Sequence, residues 1–315
     1  MADDGRNVFI IGLGLIGGSV ALGLKRAAWP GLVLGYDADA AALKAAIEAG
    51  AVDRAAGLTD GCRSADLVYL AVPLVAMPEA LGAVASALDG RAGRPPVVTD
   101  CGSVKEWVCR KARLILPDHV TFVGGHPMAG SEQMGFAAAR ANLLEGCTYV
   151  LTPEEPPGRI PTILADLVSA VGARPLVATP DEHDRAVAQV SHLPIVLATA
   201  LVQAVGDNGE GLAWELAAGG FRDTTRIASG SPEMAAGIIQ ANKDSLLQAM
   251  RGFRRSLDRL EGLVAAQGAG HGPAAAAQDR AVILNYFAEA KLRRDTWVRS
   301  RQGELASPEG GNRKR

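Results

Sequence analysis

Residues 7–37 read NVFIIGLGLIGGSVALGLKRAAWPGLVLGYD, and this stretch decides the fold of the chain. Its first five residues, 7–11, form a β-branched and aromatic run that predicts a buried parallel strand. A helix is predicted over 19–26 and a second strand over 32–36. A strand, a glycine-rich turn, a helix and a second strand in this order predict a βαβ unit of a doubly wound parallel sheet.

The glycine pattern G-x-G-x-x-G between the first strand and the helix is that of a dinucleotide-binding turn. Gly12 permits the tight turn, Gly14 lets the backbone approach a pyrophosphate, and Gly17 lets helix and strand pack closely. The N-terminus of the helix that follows offers free N–H groups to phosphates, and Leu15 and Ile16 of the turn are expected to contact the cofactor. The alternatives are a glycine-rich turn without a ligand, or a membrane span over residues 8–24, which are uncharged but too few and too rich in glycine.

Asp37 follows the second strand, twenty residues after Gly17, where an acidic residue accepts hydrogen bonds from the adenosine ribose. A carboxylate at this position repels a 2′-phosphate, so NAD is favoured over NADP. Arg26 and Arg63 are the basic residues that would weaken this prediction if they lay nearby.

Composition and length limit the class of protein. A chain of 315 residues with 48% hydrophobic side chains suggests two domains, and a net charge of −2 gives no electrostatic footprint for nucleic acid. The acidic N-terminus lacks the features of a signal peptide. The spacing of the cysteines predicts reduced thiols of a cytoplasmic protein and no metal site. The four cysteines are Cys62, Cys101, Cys109 and Cys147.

The first part of the chain alternates apolar runs with helical stretches, which predicts a mostly parallel Rossmann sheet domain over residues 1–180. Further strands are predicted over 67–72, 97–99, 121–123, 148–151 and 175–178. The proline-rich segment 152–159 resembles a domain linker, but the helix at 160–171 and the strand after it indicate that the sheet domain continues.

From residue 181 the pattern becomes helical. Thr179, Pro180 and Glu182 form a capping box with proline at N1, and Ser231 begins a similar helix start. Apolar residues recur from Met234 to Val264 at steps of three and four, which predicts one long amphipathic helix. We therefore predict an all-helical domain over 181–302 that forms a homodimer interface, with loops at 206–211, 219–230 and 267–273. The polar residues 303–315 are predicted to be a disordered tail.

Candidate chemical groups lie where the strands of such a sheet end, since ligands bind at that edge. Val72 and Pro73 follow one strand and are expected to contact the cofactor. Ser103 follows the next strand, where the simpler interpretation is the N-cap of a helix running to residue 112. His126 follows the third strand in a Gly/Pro-shaped loop, outside any helix or strand; it is either a catalytic or ligand residue or a core histidine.

Six motifs in order, GLGLIGGS, AVP, DCGSVK, GHPMAGSE, SHLP and GGFRDTTR, resemble the prephenate, arogenate and cyclohexadienyl dehydrogenases of tyrosine biosynthesis. The resemblance runs from about residue 7 to 263. It implies NAD-dependent oxidative decarboxylation of a small-molecule substrate. From the charge, the apolar runs and the cysteine spacing, no nucleic acid, membrane or metal is expected. By resemblance His126 accepts the hydroxyl proton, and Ser103 places the substrate hydroxyl and the nicotinamide.

The same resemblance assigns groups that bind the substrate. Arg226 matches the arginine that holds a carboxylate, a role suited to its planar fork, and Asp223 is expected to orient it. Gly219, His192 and Glu132 complete the expected substrate site. From the residues alone, Asp223 and Arg226 make only a helical ion pair and His192 is a packing residue.

Some assignments stay open at this level. His119, His183 and His271 are predicted to lie on the surface. Ile195 and Ala235 replace a histidine and a tryptophan common in the family, which leaves substrate preference and inhibition by tyrosine undecided. The choice between prephenate and arogenate is also undecided. The competing functions are a β-hydroxyacid dehydrogenase and a non-catalytic NAD-binding regulator.

Overall fold

The computed structural model describes residues 6–91, 93–131, 133–153, 158–207, 211–267 and 273–306. Its contacts divide the chain into two compact units, residues 1–249 and residues 250–315. The first unit contains a β-sheet and most of the helices. The second contains the end of one long helix and the whole of another, which touch where the Tyr286 hydroxyl donates to the Ser256 carbonyl at 3.5 Å.

An eight-stranded sheet forms the centre of the first unit, in the order β3-β2-β1-β4-β5-β6-β7-β8. Neighbouring strands are parallel except for β6 and β7, which run antiparallel. The strands are β1 Val8–Ile11, β2 Val33–Tyr36, β3 Arg54–Ala55, β4 Leu67–Leu70, β5 Val97–Asp100, β6 Phe122–Pro127, β7 Thr148–Pro153 and β8 Arg174–Val177. The predicted doubly wound, mostly parallel sheet is confirmed, although the short edge strand β3 was not predicted.

Helices connect the strands and then form the rest of the described chain. They are α1 Leu15–Arg26, α2 Ala40–Glu48, α3 Leu58–Ser64, α4 Met77–Leu88, α5 Lys105–Ile115, α6 Thr162–Ala170, α7 Pro180–Val187, α8 Leu193–Asp207, α9 Gly211–Glu215, α10 Gly219–Thr225, α11 Pro232–Ala241, α12 Lys243–Ala265 and α13 Pro273–Ala306. Short 3-10 turns occur at Leu74–Ala76, Phe136–Ala138 and Arg226–Ser229, and a π-helical turn at Ala188–His192 joins α7 to α8.

The central strand β1 is buried on both faces because its side chains alternate between two cores. Val8 and Ile10 belong to the core that includes parts of α1 and α6. Phe9 and Ile11 belong to the core that includes parts of α4 and α5. Helices on both faces of a parallel sheet account for the continuous apolar character of these strands.

The register of the strands places their carboxyl ends at one edge of the sheet. Ile11 at the end of β1 pairs with Tyr36 and with Leu70, and Leu70 pairs with Asp100. The chain segments that follow these strands therefore meet above β1 and β4, where the strand order reverses. This crevice is the position at which open α/β sheets bind ligands.

Strand β6 corrects one prediction, because His126 lies in a strand and not in a loop. The strand extends to Pro127, and His126 pairs with Val150 of the antiparallel strand β7. The glycines before it are packing positions: a Cβ on Gly125 would lie 2.5 Å from the Asp100 carbonyl oxygen. The sequence suggested a loop because Gly and Pro favour turns, but here close approach to β5 requires the glycine.

The helical region corrects three predictions. Residues 219–230, predicted as a loop, form α10 and a 3-10 turn. The apolar stripe belongs to two helices that Asn242 separates, α11 and α12, and not to one. The predicted disordered tail begins inside α13, which continues to Ala306. Within the described part of residues 181–301 there is no strand, as predicted.

The helical run Pro180–Asp207 is long and apolar enough to span a membrane by length and composition, with a mean hydropathy of 1.5. Core helices of soluble proteins pass the same test, so this run is weak support for a span.

The helix α7 begins with the predicted capping box. The Glu182 N–H donates to the Thr179 hydroxyl at 3.2 Å, and the Glu182 carboxylate accepts from the Thr179 N–H at 2.9 Å.

Candidate active site

The turn between β1 and α1 has the geometry of a phosphate-binding turn. Gly12 has φ of +95°, and a Cβ there would lie 2.4 Å from the Ala71 carbonyl oxygen. A Cβ on Gly17 would lie 1.9 Å from the Gly12 carbonyl oxygen, so only glycine fits. Around Gly14, by contrast, no atom lies within 4 Å of the Cβ position, which leaves space beside the backbone for a ligand.

The beginning of α1 is free to bind an anion. The helix starts at Leu15 and Ile16, its N-cap Gly14 has no side chain, and its first turn contains no acidic residue. The backbone N–H groups and the positive end of the helix dipole are therefore not neutralised by the helix itself. These residues fit the pyrophosphate of a dinucleotide.

Asp37 follows β2 and is held by two backbone groups. Its Oδ2 accepts from the Leu13 N–H at 2.6 Å, and its Oδ1 accepts from the Asp39 N–H at 2.8 Å. The carboxylate is thus fixed beside the glycine turn, where an acidic residue binds the ribose in this fold.

The two arginines that would weaken a preference for NAD bind other groups. Arg26 pairs with Glu145 at 3.3 Å. The Arg63 Nε donates to the Ala87 carbonyl at 2.8 Å. Both contacts orient these guanidinium groups toward partners other than Asp37.

The segment after β4 closes the same crevice from the other side. Val72 is half-buried, Pro73 is exposed, and both follow the Ala71 carbonyl that contacts Gly12. Helix α11 packs on the adjoining 3-10 turn, where a Cβ on Gly237 would lie 3.7 Å from the Leu74 Cβ.

Ser103 is not the N-cap of α5, which corrects the simpler interpretation of this residue. The N-cap is Val104, whose side chain cannot accept a hydrogen bond. Asp184 of α7 takes over that role: its Oδ1 accepts from the Lys105 N–H at 2.7 Å and its Oδ2 from the Glu106 N–H at 2.9 Å. The half-buried Ser103 hydroxyl is therefore not used to cap the helix.

His126 is almost fully buried, with 9% of its surface exposed. Its Nδ1 lies 2.8 Å from Nε2 of His183, and the two rings meet edge to face with centroids 5.0 Å apart. In the described part of the chain its Nε2 makes no hydrogen bond, and that atom is not among the fully buried ones. Burial and the nearby His183, Lys105 and His192 hold the pKa of His126 well below its usual 6.5.

His183 was predicted to lie on the surface, and this prediction was wrong. Only 3% of it is exposed, and its Nδ1 lies 2.7 Å from Oδ1 of the equally buried Asp184. Both belong, with Val187, to the buried face of α7. A signal was present: these residues share a helix face at the spacing i, i+1 and i+4, which marks them as core-facing.

His192 lies in the π-helical turn and is 1% exposed. Its Nδ1 lies 3.2 Å from the side-chain nitrogen of Asn242, which also donates to the Asp184 carbonyl at 2.8 Å. The amide nitrogen donates in both contacts, so neutral His192 carries its proton on Nε2. That buried atom has no partner. Burial lowers the pKa of His192 to about 4, so the ring is neutral at pH 7.

The helix does not end at Pro194, since α7 continues through the π turn into α8. A π turn leaves some backbone groups without their usual i−4 partners, and it thereby tolerates a proline that has no N–H. Such turns are frequent at functional sites. Asn242, which follows α11, contacts both His192 and Asp184 and was not predicted as part of the site.

The arginine segment follows in α10 and the next 3-10 turn, which lies against α8. Arg226 is exposed. The Asp223 carboxylate lies 3.5 Å from Arg222, a contact on the solvent side. Gly219 begins α10. Glu132 and His271 lie outside the described residues, whereas His119 is exposed as predicted.

The described residues contain no cluster of three or more His, Cys, Asp or Glu side chains that would hold a metal ion. The polar groups around His126 are instead bonded to one another and to backbone. They form a buried cluster at the end of β6, at the same edge of the sheet as the turn that fits a dinucleotide.

Comparison with known proteins identifies the family. The sequence model of the prephenate dehydrogenase nucleotide-binding domain matches residues 20–177, and that of the prephenate dehydrogenase dimerization domain matches residues 179–271. The chain belongs to the prephenate dehydrogenase family. The resemblance carried by the six sequence motifs is thereby confirmed.

Individual relatives agree with this assignment. The prephenate dehydrogenase of Lactococcus lactis is 37% identical over 81% of this chain and 70% of its own. The cyclohexadienyl dehydrogenase of Zymomonas mobilis is 32% identical over 92% of this chain and 95% of its own. The structure of prephenate dehydrogenase from A. aeolicus in complex with hydroxyphenyl propionate and NAD+ superposes with a TM-score of 0.80 at 30% identity, covering 94% of this chain and 99% of that one. Family members are oxidoreductases, and the chain is an enzyme of this class.

Proposed function

We propose that this chain catalyses the NAD-dependent oxidative decarboxylation of prephenate, or of arogenate, in tyrosine biosynthesis. The observation that carries the proposal is His126, a buried base with a free Nε2, at the carboxyl edge of a sheet that also presents a dinucleotide-binding turn. The A. aeolicus relative, whose complex holds NAD+ and a hydroxyphenyl ligand, supports both the cofactor and the class of substrate.

The cofactor is held by residues of the first unit. The N–H groups at Gly14, Leu15 and Ile16 bind the pyrophosphate, and Asp37 accepts the ribose hydroxyls. Val72 and Pro73 line the path from the ribose to the nicotinamide. NAD+, when bound, accepts the hydride that leaves the substrate ring.

The protein's own groups handle one proton and two carboxylates. His126 accepts the proton of the substrate hydroxyl at Nε2, and Ser103 orients that hydroxyl. Loss of CO₂ from the opposite ring carbon yields an aromatic ring, which supplies the driving force. Correct placement of the reacting carbon beside the nicotinamide is the remaining requirement.

The groups that bind the substrate are Arg226 and His192. Arg226 holds a carboxylate through its planar guanidinium, and the resemblance to the family adds Asp223, Gly219 and Glu132 to the substrate site. His192 offers a buried Nε2–H without a partner, which costs about 1–3 kcal/mol unless an acceptor fills the position. A substrate oxygen is the acceptor that this donor fits.

We further propose that residues 1–180 and 181–302 are the two domains, a division near the boundary of the two family-model matches and different from the compact units that meet at residue 249. We also propose that the helical domain forms a homodimer, in agreement with the dimerization-domain match. A location in the cytoplasm also remains a prediction. Exposed apolar side chains support self-association of the helices. On α12 and α13 they include Phe253, Leu257, Val264, Val282, Leu284, Phe287, Leu292 and Trp297.

The decisive experiment measures NADH formation by the purified chain with prephenate and with arogenate. The expected products are 4-hydroxyphenylpyruvate and tyrosine, each with one equivalent of CO₂. A panel of 3-hydroxy acids tests the competing β-hydroxyacid dehydrogenase activity. Turnover of the hydroxy acids but not of prephenate or arogenate would overturn the proposal, and NAD binding without turnover of any of them would favour a regulator.

A further inference from the structure

Helix α5 begins without an N-cap side chain of its own, and a carboxylate from α7 replaces it. Val104 precedes the helix, and the Asp184 carboxylate accepts from the N–H groups of Lys105 and Glu106 at 2.7 and 2.9 Å. Only 2% of Asp184 is exposed. Two backbone donors at a helix N-terminus stabilise the ionised form of a buried carboxylate, so Asp184 is an anion that accepts hydrogen bonds and donates none.

The direction of the next two hydrogen bonds follows from that charge. Since Asp184 only accepts, the proton of neutral His183 must be on Nδ1, which lies 2.7 Å from Asp184 Oδ1. His183 Nε2 then has a lone pair, 2.8 Å from Nδ1 of His126. His126 must therefore donate through Nδ1, and its remaining lone pair is on Nε2. The fold fixes the tautomer in which the outward nitrogen is the base.

Burial and the groups around His126 disfavour its protonated, positively charged form. Lys105 of α5 carries a positive charge, although the buried Asp100 carboxylate at the end of β5 pairs with it. His192 on the π turn and His183 on α7 are its neighbouring rings. The Asp184 carboxylate contacts the His183 ring directly, and the His183 ring separates that carboxylate from His126.

We propose that His183 and Asp184 are a positioning and proton-holding pair for His126. The proposal rests on the proposed dehydrogenase function. The substrate hydroxyl gives its proton to His126 Nε2 while the hydride leaves for NAD+, and the Nδ1 proton of His126 passes to His183 Nε2. His126 is then neutral again, and the new imidazolium of His183 lies against the Asp184 carboxylate. After product leaves, the two transfers run in reverse and release the proton to water.

A purely structural role for the pair is the alternative, in which His183 and Asp184 only join α7 to α5. That role predicts lower stability but no specific effect on proton transfer. The two roles share the tautomer of His126, on which the proposal depends, and differ in the kcat of variants and in the pH profile. A test needs at least one readout that does not depend on a variant folding normally.

The first measurement uses the wild-type protein with ¹⁵N-labelled histidine. The sequence contains five histidines, so the ring nitrogens can be resolved by NMR, with His126→Asn to assign one set. The expected result at neutral pH is a His126 ring protonated at Nδ1 and unprotonated at Nε2. A ring protonated at Nε2 would overturn the proposal. This readout is independent of the substrate, so failure of the enzyme to oxidise prephenate would overturn only the proposed function.

The second measurement compares His183→Asn with Thr179→Ala. Asparagine preserves a hydrogen-bonding side chain but cannot take up a proton, so kcat should fall about 10²-fold while the KM for prephenate and the Kd for NAD+ change little. The acid limb of the pH profile of kcat should also shift, because residue 183 can no longer take up a proton. Thr179→Ala removes the cap of the same helix and should lower the Tm without changing kcat. Equal kcat values for the two variants would overturn the proposal.

Discussion

Lys105 donates a hydrogen bond from its Nζ to the Asp100 carboxylate, and neither side chain is exposed to solvent. Asp100 also accepts from the N–H groups of Gly102 at 2.7 Å and Gly125 at 3.0 Å. Lys105 donates in turn to the Gly125 carbonyl at 2.6 Å. This buried pair joins the loop that contains Ser103 to the strand that contains His126.

Lys105→Met should therefore destabilise the protein by about 3–5 kcal/mol, because it leaves a buried carboxylate without its cation. Urea unfolding of the variant measures the loss. The double variant with Asp100→Asn should lose less than the sum of the two single variants. As a control, Lys44→Met removes an exposed pair with Glu48 and should cost less than about 0.5 kcal/mol. Additive losses would show that the two charges are not coupled.

Asp37 should make the enzyme prefer NAD+ to NADP+. Its carboxylate, fixed by the N–H groups of Leu13 and Asp39, repels a 2′-phosphate. Asp37→Asn should therefore lower the ratio of kcat/KM for NAD+ to kcat/KM for NADP+. Steady-state kinetics with both cofactors measures the ratio, with the Tm as a check on folding. Equal use of both cofactors by the unmodified protein would contradict the assignment.

His126→Asn should lower kcat by about 10²–10⁴, the loss expected when a general base is removed. Binding of NAD+ should be nearly unchanged, as titration by protein fluorescence can test. A variant with near-normal kcat would show that His126 serves the strand and not the reaction.

Arg226→Ala should raise the KM for substrate by about 30- to 1,000-fold, because a carboxylate loses a charge-assisted and bidentate partner. Arg226→Lys should recover part of this loss, since a point charge replaces the planar fork. Arg222→Ala is the matched control: that residue is exposed, pairs with Asp223, and should leave KM unchanged. If both alanine variants had normal KM, Arg226 would not belong to the site.

His192 should make the protein less stable in mild acid. Its pKa is about 4 in the folded state and 6.5 when unfolded, so the unfolded chain binds more protons between these values. The free energy of unfolding therefore falls as the pH drops from about 6.5 toward 4, by up to about 1.4 kcal/mol per pH unit from this group. Urea unfolding at several pH values across this range gives the slope of the free energy of unfolding against pH. This slope should be smaller for His192→Gln and unchanged for the exposed His119→Gln. Equal slopes for wild type and His192→Gln would exclude this contribution.

The sequence by itself determined the sheet domain. Gly12, Gly14 and Gly17 between a β-branched run and a helix, with Asp37 after the next strand, predict the βαβ unit because each residue answers a local steric or electrostatic need. The capping box at Thr179 could also be predicted from the sequence, since its hydrogen bonds join residues three positions apart. Local interactions such as these are written in adjacent residues.

Only the tertiary structure decided how the polar groups combine. His183 and Asp184 approach His126 and the start of α5 across 57 and 79 positions of sequence, and Asn242 reaches His192 across 50. No periodicity specifies such pairs, because which buried polar groups meet depends on how helices pack against the sheet. The sequence analysis placed His126 in a loop because glycine and proline surround it, and it placed His183 on the surface because it overlooked the helical spacing that marks this residue as core-facing. Hydrogen bonding between distant segments, and not local propensity, gives these histidines their tautomers.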